Sequence, residues 1–154
     1  LFSQVYDCNV FHTDDFFLPP AARGPERLSQ PGGNMERERL SLEVLEKLSL
    51  NKPFDYYSFN CQSNASTKIH VKPKALNIVE GSYCLHPELA RFYDLKIFLK
   101  ISSEEQRRRI LERNGEQQLE NFLQKWIPLE NAYFKAFNTE GGCDLVFCSD
   151  KACI

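Results

Sequence analysis

The chain has 154 residues, of which 42% are hydrophobic and 26% charged, so it is long enough to bury a sizeable core. Its formal net charge of -2 gives no electrostatic reason to expect nucleic acid or an anionic membrane as a partner. No apolar run approaches the roughly 20 residues of a membrane-spanning helix, and no signal peptide is visible. The six cysteines lie mostly in apolar surroundings typical of free thiols, which favours a reduced, cytoplasmic setting.

Short apolar segments alternate with helical patterns along the chain. Those rich in Val, Ile, Leu and Phe predict buried parallel strands at Cys8–His12, Ala75–Val79, Leu95–Ile101 and Asp144–Cys148. Apolar residues at helical spacing predict helices over Glu36–Leu48, Ser103–Arg113 and Leu119–Phe137, the last kinked at Pro128. Leu18–Asn34 predicts a Pro- and Gly-rich loop, and Phe54–Val71 an excursion or hairpin. The alternation indicates an α/β fold of three layers around a mostly parallel sheet.

Carboxylates follow two of the predicted strands. Asp14 and Asp15 come after the first strand, and Glu80 comes after the second. In open α/β sheets, ligands bind beyond the carboxyl ends of the strands, so this placement predicts a chemical site. The alternative is an ordinary acidic strand end that caps a turn.

Six longer motifs occur along the chain, in the order HTDDFF (12–17), PGGNME (31–36), VEGSY (79–83), RRRILERN (107–114), WIPLEN (126–131) and CDLV (143–146). In type and order they resemble the motifs of uridine kinases and nicotinamide riboside kinases, and the resemblance runs from about Cys8 to Cys148. Each motif alone is a weak signal, whereas six in register are difficult to obtain by chance.

The resemblance implies a P-loop kinase fold that transfers the γ-phosphate of ATP to the 5′-hydroxyl of a nucleoside, most simply uridine or cytidine. Phosphoryl transfer depends mainly on positioning and charge neutralisation. Asp14 matches the family's base, and Asp15 a neighbour that supports the loop. Glu80, together with Asp14, matches the carboxylates that hold Mg²⁺, which prefers hard oxygen ligands.

The same resemblance assigns residues to the acceptor. Glu36 stands where the family usually has an aspartate bonded to the ribose hydroxyls, and its extra methylene shifts those bonds by about 1.5 Å. Phe17, Phe54 and Tyr56 match positions that line the base pocket, where a flat aromatic ring suits a flat base. Phe59 replaces a base-contacting histidine of pyrimidine-specific relatives. Nicotinamide riboside, another small alcohol, or a non-catalytic role in nucleotide binding therefore remain open alternatives.

An arginine-rich helix resembles the family's lid, near residues 103–118. The resemblance assigns Arg108, Arg109 and Arg113 to the phosphates, where cations neutralise developing charge. The alternative is a solvated helix whose arginines pair with its own glutamates at a spacing of four residues.

None of the seven glycines lies in the Gly-x-x-x-x-Gly-Lys-Ser/Thr pattern that grips ATP in this family. We therefore expect residues 1–154 to be a single kinase domain truncated at its N-terminus, without its first strand and phosphate loop. On its own, this stretch is expected to lack useful kinase activity and to aggregate, because a missing central strand exposes its neighbours' edges. The expected partners are a small-molecule nucleoside and ATP, and neither nucleic acid nor a membrane is expected. Whether the chain forms a homo-oligomer is left open by the sequence.

Overall fold

The computed structural model describes residues 4–61 and 63–149. The chain divides into two compact units, Leu1–Phe92 (unit 1) and Tyr93–Ile154 (unit 2), and each is described by itself. That one kinase domain spans residues 1–154 stays a prediction, and residues 1–3, 62 and 150–154 of that span lie outside the described residues.

Unit 1 contains two pairs of strands and a set of short helices. In chain order these elements are β1 (Cys8–His12), α1 (Pro25–Ser29), α2 (Arg37–Leu40), α3 (Glu46–Leu48), β2 (Phe54–Asn60), β3 (Ala65–Val71) and β4 (Leu76–Glu80). The helix predicted over Glu36–Leu48 is present, with a π-helical turn at Ser41–Leu45 between α2 and α3. It packs through Leu40 and Val44, which are fully buried, as the helical spacing of its apolar residues requires.

β1 and β4 form a parallel pair. The register runs from Cys8 opposite Leu76 to His12 opposite Glu80. Because the two strands run in the same direction, their carboxyl ends meet at one edge of the sheet. The segments that follow β1 and β4 are therefore neighbours in unit 1.

The two irregular stretches of the sequence contain more structure than a loop. Phe54–Val71 is an antiparallel hairpin of β2 and β3, with Phe54 opposite Val71. Within the predicted loop Leu18–Asn34, α1 begins at Pro25, because proline in the first turn loses no helical hydrogen bond.

Unit 2 contains a second parallel pair and a long helical run. Its elements are β5 (Ile97–Lys100), α4 (Ser103–Asn114), α5 (Glu116–Asn121), α6 (Ile127–Phe137) and β6 (Leu145–Cys148). Ser102 caps α4 by accepting the Glu105 N–H, and Gly115, at φ 78°, ends that helix. Pro128 lies in the first turn of α6, directly after a π-helical turn, so the local change in helical geometry accompanies the proline.

β5 and β6 are more exposed than buried parallel strands should be. Leu99 is 71% exposed and Phe147 53%, whereas Phe98 packs edge-to-face on Phe134 of α6. In the described part of unit 2, β5 pairs with β6 alone, so the outer edges of the pair carry no further strand. None of the helices in the described part of the chain has the length and hydrophobicity needed to span a membrane.

Candidate functional site

The carboxyl ends of β1 and β4 bring together the residues that the sequence singled out. His12 and Glu80 are partners in the strand register, and His12 Nδ1 contacts Glu80 Oε1. Both side chains are 55% exposed, so the second carboxylate oxygen of Glu80 can still reach a ligand in solvent. This edge of unit 1 is therefore polar, accessible and acidic.

The start of the turn after β1 packs tightly against the residue after β4. Thr13 is 1% exposed, and its Oγ1 has no hydrogen-bond partner within the described residues. A Cβ on Gly81 would lie 1.8 Å from that oxygen, and Gly81 has a φ of +131°. Only glycine fits both the backbone conformation and the space, so Gly81 fixes the approach of the two strand ends.

Asp14 lies in the 3₁₀ turn Thr13–Phe16 and is exposed. Its carbonyl oxygen accepts the Phe17 N–H at 3.4 Å, which closes the turn. The turn leaves Asp14 exposed beyond the end of β1, on the side where open α/β sheets bind their ligands, and its role as a base stays a prediction.

The neighbouring Asp15 is bound within the fold instead. Its two carboxylate oxygens accept hydrogen bonds from Tyr56 Oη, at 3.0 Å, and Ser58 Oγ, at 2.6 Å. Burial raises the pKa of Tyr56, and the nearby Asp15 charge raises it further, so the phenol keeps its proton as donor. Asp15 thereby ties the turn that carries Asp14 to strand β2.

The segment Pro31–Glu36 runs alongside the acidic turn. Met35 forms an isolated antiparallel bridge with Phe17, and the Glu36 N–H donates to the Phe16 carbonyl at 2.7 Å. The backbone of Glu36 is therefore hydrogen-bonded to the same turn that carries Asp14. Their roles stay predictions.

Arg27 holds this segment from the other side. Its guanidinium donates to the carbonyl oxygens of Gly33 and Met35, both at 3.0 Å, and forms a two-pronged pair with Glu38 at 2.8 Å. The hydrogen bonds that Arg27 donates to the Glu38 carboxylate lower the pKa of Glu38 to about 2. Gly33 is required here, since a Cβ would lie 1.8 Å from the Arg27 carbonyl oxygen.

The three predicted base-pocket aromatics differ in accessibility. Tyr56 is 5% exposed and stacks on Phe16 with ring centroids 5.6 Å apart, and Phe54 is 9% exposed. Phe17 is half-buried and meets Tyr83 edge-to-face at 6.4 Å. Of the three, Phe17 offers the most surface to a ligand, while Tyr56 contributes to the core of unit 1.

The arginines of α4 are engaged with the helix's own acids. Arg108 donates to both oxygens of Glu105, at 2.6 and 2.7 Å, and to Glu112 at 2.6 Å. Arg109 donates to Glu105 at 2.7 Å. The hydrogen bonds from the two arginines lower the pKa of Glu105 to about 2. These are the pairs expected of a solvated helix.

The remaining arginines of that helix are arranged differently. Arg113 Nε donates to Asn114 Oδ1 at 2.8 Å.

Arg107 lines a cleft of about 650 Å³ in unit 2, whose apolar lining includes Phe98 and Phe134. A second cleft, of about 440 Å³ in unit 1, is lined by Arg37 and Glu88, and none of the predicted site residues lines either cleft.

The resemblance assigns magnesium to two carboxylates of unit 1, Asp14 and Glu80. Within residues 4–61 and 63–149, no group of three or more His, Cys, Asp or Glu side chains could hold a metal ion. Mg²⁺ takes one or two carboxylates and completes its shell with water and substrate phosphates. Asp14 and the open oxygen of Glu80, which follow adjacent parallel strands, supply that kind of ligand.

One residue of this assembly, Arg39, was missed by the sequence analysis. Arg39 lies three residues after Glu36 on a predicted helix, a spacing that allows an ion pair. In the structure, Arg39 Nε donates to Glu36 Oε2 at 2.8 Å. The spacing alone could have identified the pair, but the further contacts of Arg39 join segments distant in sequence.

The chain resembles solved structures of known proteins over most of its length. The chain is similar to the "Possible Uridine Kinase from Bacillus stearothermophilus", with 16% identity and a TM-score of 0.69 over 94% of this chain and 74% of that one. It is also similar to the "putative fructose transport system kinase from Silicibacter sp. TM1040", with 19% identity and a TM-score of 0.70 over 94% and 77%. No protein-family model matches the chain, and no curated protein matches its sequence. These likenesses confirm the predicted α/β fold with its parallel strands and helices.

Proposed function

We propose that this chain belongs to an enzyme that transfers the γ-phosphate of ATP to the 5′-hydroxyl of a nucleoside, with uridine or cytidine as the acceptor. The observation that carries the proposal is the acidic edge of unit 1. There, an exposed Asp14 follows β1 beside Glu80, and the Glu36 segment is hydrogen-bonded to the same turn. The fold shared with a structure described as a possible uridine kinase supports this choice.

The chemistry assigned to unit 1 is proton transfer and orientation. Asp14 accepts the proton of the acceptor hydroxyl as its oxygen attacks the γ-phosphorus, and the bond from that phosphorus to the leaving oxygen of ADP breaks. Glu36 accepts hydrogen bonds from the sugar hydroxyls and so holds the acceptor. Phe17 provides an apolar surface for the base.

Magnesium would be held by Asp14 and Glu80 together with the phosphates of ATP. When bound, it neutralises charge on the transferred group. His12 orients Glu80 through its contact with Oε1 and leaves the other carboxylate oxygen accessible. The resemblance assigns Arg108, Arg109 and Arg113 of α4 to the phosphates, and the charge and fork-shaped donors of arginine suit that role.

A different acceptor is the second candidate, on the evidence of Glu36. Its side chain is longer than the family's aspartate, and its carboxylate is tied to Arg39 at 2.8 Å, which changes where its free oxygen can meet a hydroxyl. Nicotinamide riboside or another small alcohol, including a sugar of the kind named for the second structure, then replaces uridine or cytidine as the acceptor. Cofactors and reaction type stay the same.

The test is phosphate transfer from labelled ATP by the full-length protein to a panel of nucleosides, nicotinamide riboside, fructose and pantothenate. Asp14→Asn is expected to lower kcat about 100-fold or more, because the base is lost while the shape is kept. Asp94→Asn, at an exposed aspartate of unit 2, is the matched control and should keep the parent rate. Turnover that survives Asp14→Asn would refute the assigned base, and ATP binding without any transfer would favour the non-catalytic alternative.

A further inference from the structure

Arg39 contacts three segments of unit 1 through one guanidinium group. Nε donates to Glu36 Oε2 at 2.8 Å, Nη2 donates to the Asp15 carbonyl oxygen at 2.8 Å, and Nη1 donates to the Tyr57 carbonyl oxygen. The side chain is only 17% exposed. Its Cζ also lies 4.5 Å from the centroid of the Phe16 ring, which adds a cation–π contact.

These contacts need the planar fork of arginine. A guanidinium presents five N–H donors in a fixed plane, and here all three of its nitrogens face different acceptors. A lysine at this position carries a single ammonium group on a flexible stem and cannot satisfy three acceptors in that geometry. The hydrogen bond to the Asp15 carbonyl is partly buried, so that acceptor is costly to leave without a donor.

The three acceptors surround the parts of the site that have to be aligned. The Asp15 carbonyl belongs to the turn that carries Asp14, and Glu36 is the residue assigned to the acceptor's hydroxyls. Tyr57 belongs to β2, where Glu43 Oε2 accepts its N–H at 2.9 Å and lies 3.5 Å from Arg39 Nη1. The guanidinium thus sets both the direction of the Glu36 carboxylate and the backbone position next to Asp14.

We propose that Arg39 is a positioning residue that aligns the acceptor, through Glu36, with the base Asp14. The proposal rests on the proposed function. It adds that Glu36 works as an oriented carboxylate with one oxygen held by Arg39 and one left for the acceptor, so the acceptor is placed by a pair of residues.

The test compares Arg39→Met and Arg39→Lys with Arg37→Met in the full-length protein. Arg37 is the matched control because it lies two residues away on the same helix, is 14% exposed and forms its ion pairs with Glu88, at 3.0 Å, and Glu38, at 3.5 Å. Both Arg39 variants should raise the KM for the acceptor about tenfold and lower kcat about tenfold, with the KM for ATP within about twofold of the parent. Arg37→Met should leave both KM values unchanged.

The outcomes separate this proposal from the proposed function. If the parent protein phosphorylates an acceptor and the folded Arg39 variants keep its acceptor KM and kcat, Arg39 does not position the acceptor, while the kinase assignment stands. If the parent protein phosphorylates no acceptor, the kinase assignment falls. Amide hydrogen exchange then tests whether Arg39 holds the turn that carries Asp14. Exchange in residues 13–18 should then rise in Arg39→Met and not in Arg37→Met, and equal exchange in the two variants would overturn the proposal.

Discussion

The contact between Gly81 and Thr13 is the tightest constraint at the edge where β1 and β4 end. A Cβ at position 81 would approach Thr13 Oγ1 to 1.8 Å, at a φ of +131° that other residues rarely adopt. The hydroxyl cannot simply rotate into solvent, because Thr13 is 1% exposed. The spacing of the two carboxylate-bearing segments therefore depends on a residue without a side chain.

Gly81→Ala is expected to lower the free energy of unfolding by roughly 2 kcal/mol or more, from backbone strain and overpacking together. Urea unfolding followed by circular dichroism measures the loss. Gly24→Ala is the control, because a Cβ there meets nothing within 4 Å, and its change should stay within about 0.5 kcal/mol.

A double variant separates the two causes. Thr13→Ala removes the clashing hydroxyl, so the double variant should lose less stability than the sum of the two single variants. Strict additivity, or a Gly81→Ala protein as stable as the parent, would show that the close approach does not constrain the strand ends.

At the scale of elements, most strands and helices could be predicted from the sequence. β1 matches the predicted Cys8–His12, and β4 and β6 begin one residue later than predicted. These segments are short apolar runs whose period and composition depend little on tertiary context. The order of the elements was therefore enough to predict an α/β fold.

The contacts within the candidate site could be predicted only in part. The positions of Asp14 and Glu80 after their strands follow from the strand boundaries, and parallel pairing makes the two segments neighbours. The hydrogen bonds of Asp15 to Tyr56 and Ser58 join residues more than 40 positions apart, which no local pattern encodes. For the same reason, Arg39 looked like an ordinary charge on a helix surface.

Helix α4 allows a prediction about the availability of its cations. Glu105 binds both Arg108 and Arg109, so on the proposed function it competes with phosphate for these two side chains. Glu105→Gln should tighten the binding of ATP only about two- to fivefold at low salt, since the exposed ion pair that it removes is weak. The gain should fall as salt screens the charges. Calorimetric titration of the full-length protein with ATP measures both effects.

Glu104→Gln is the control for that measurement, because it removes the same charge one residue earlier, where no ion pair with these arginines is made. A gain specific to Glu105→Gln supports direct competition. An equal gain in ATP affinity in both variants would show that the change in net charge alone causes the effect. Weaker ATP binding by Glu105→Gln would mean that Glu105 holds the arginines in the positions that bind phosphate.

At the scale of the molecule, the apolar surface of unit 2 distinguishes it from an ordinary globular surface. Ile97 and Leu99 of β5 and Leu145, Val146 and Phe147 of β6 are between 42% and 71% exposed. They lie on a strand pair that, in the described part of unit 2, has an open edge. An exposed apolar strand with unpaired backbone groups is a template for association.

We therefore expect the 154-residue chain to self-associate through this strand pair at micromolar concentration. Leu99→Lys, at its most exposed apolar position, should shift the chain toward monomer, because a charged side chain opposes both strand pairing and apolar contact. Sedimentation velocity over a concentration series measures the shift. Leu50→Lys is the matched control: Leu50 is 66% exposed but lies after α3, outside any strand. If both substitutions reduce association equally, net charge and not the β5–β6 surface controls it, and a parent chain that stays monomeric throughout would rule out the association itself.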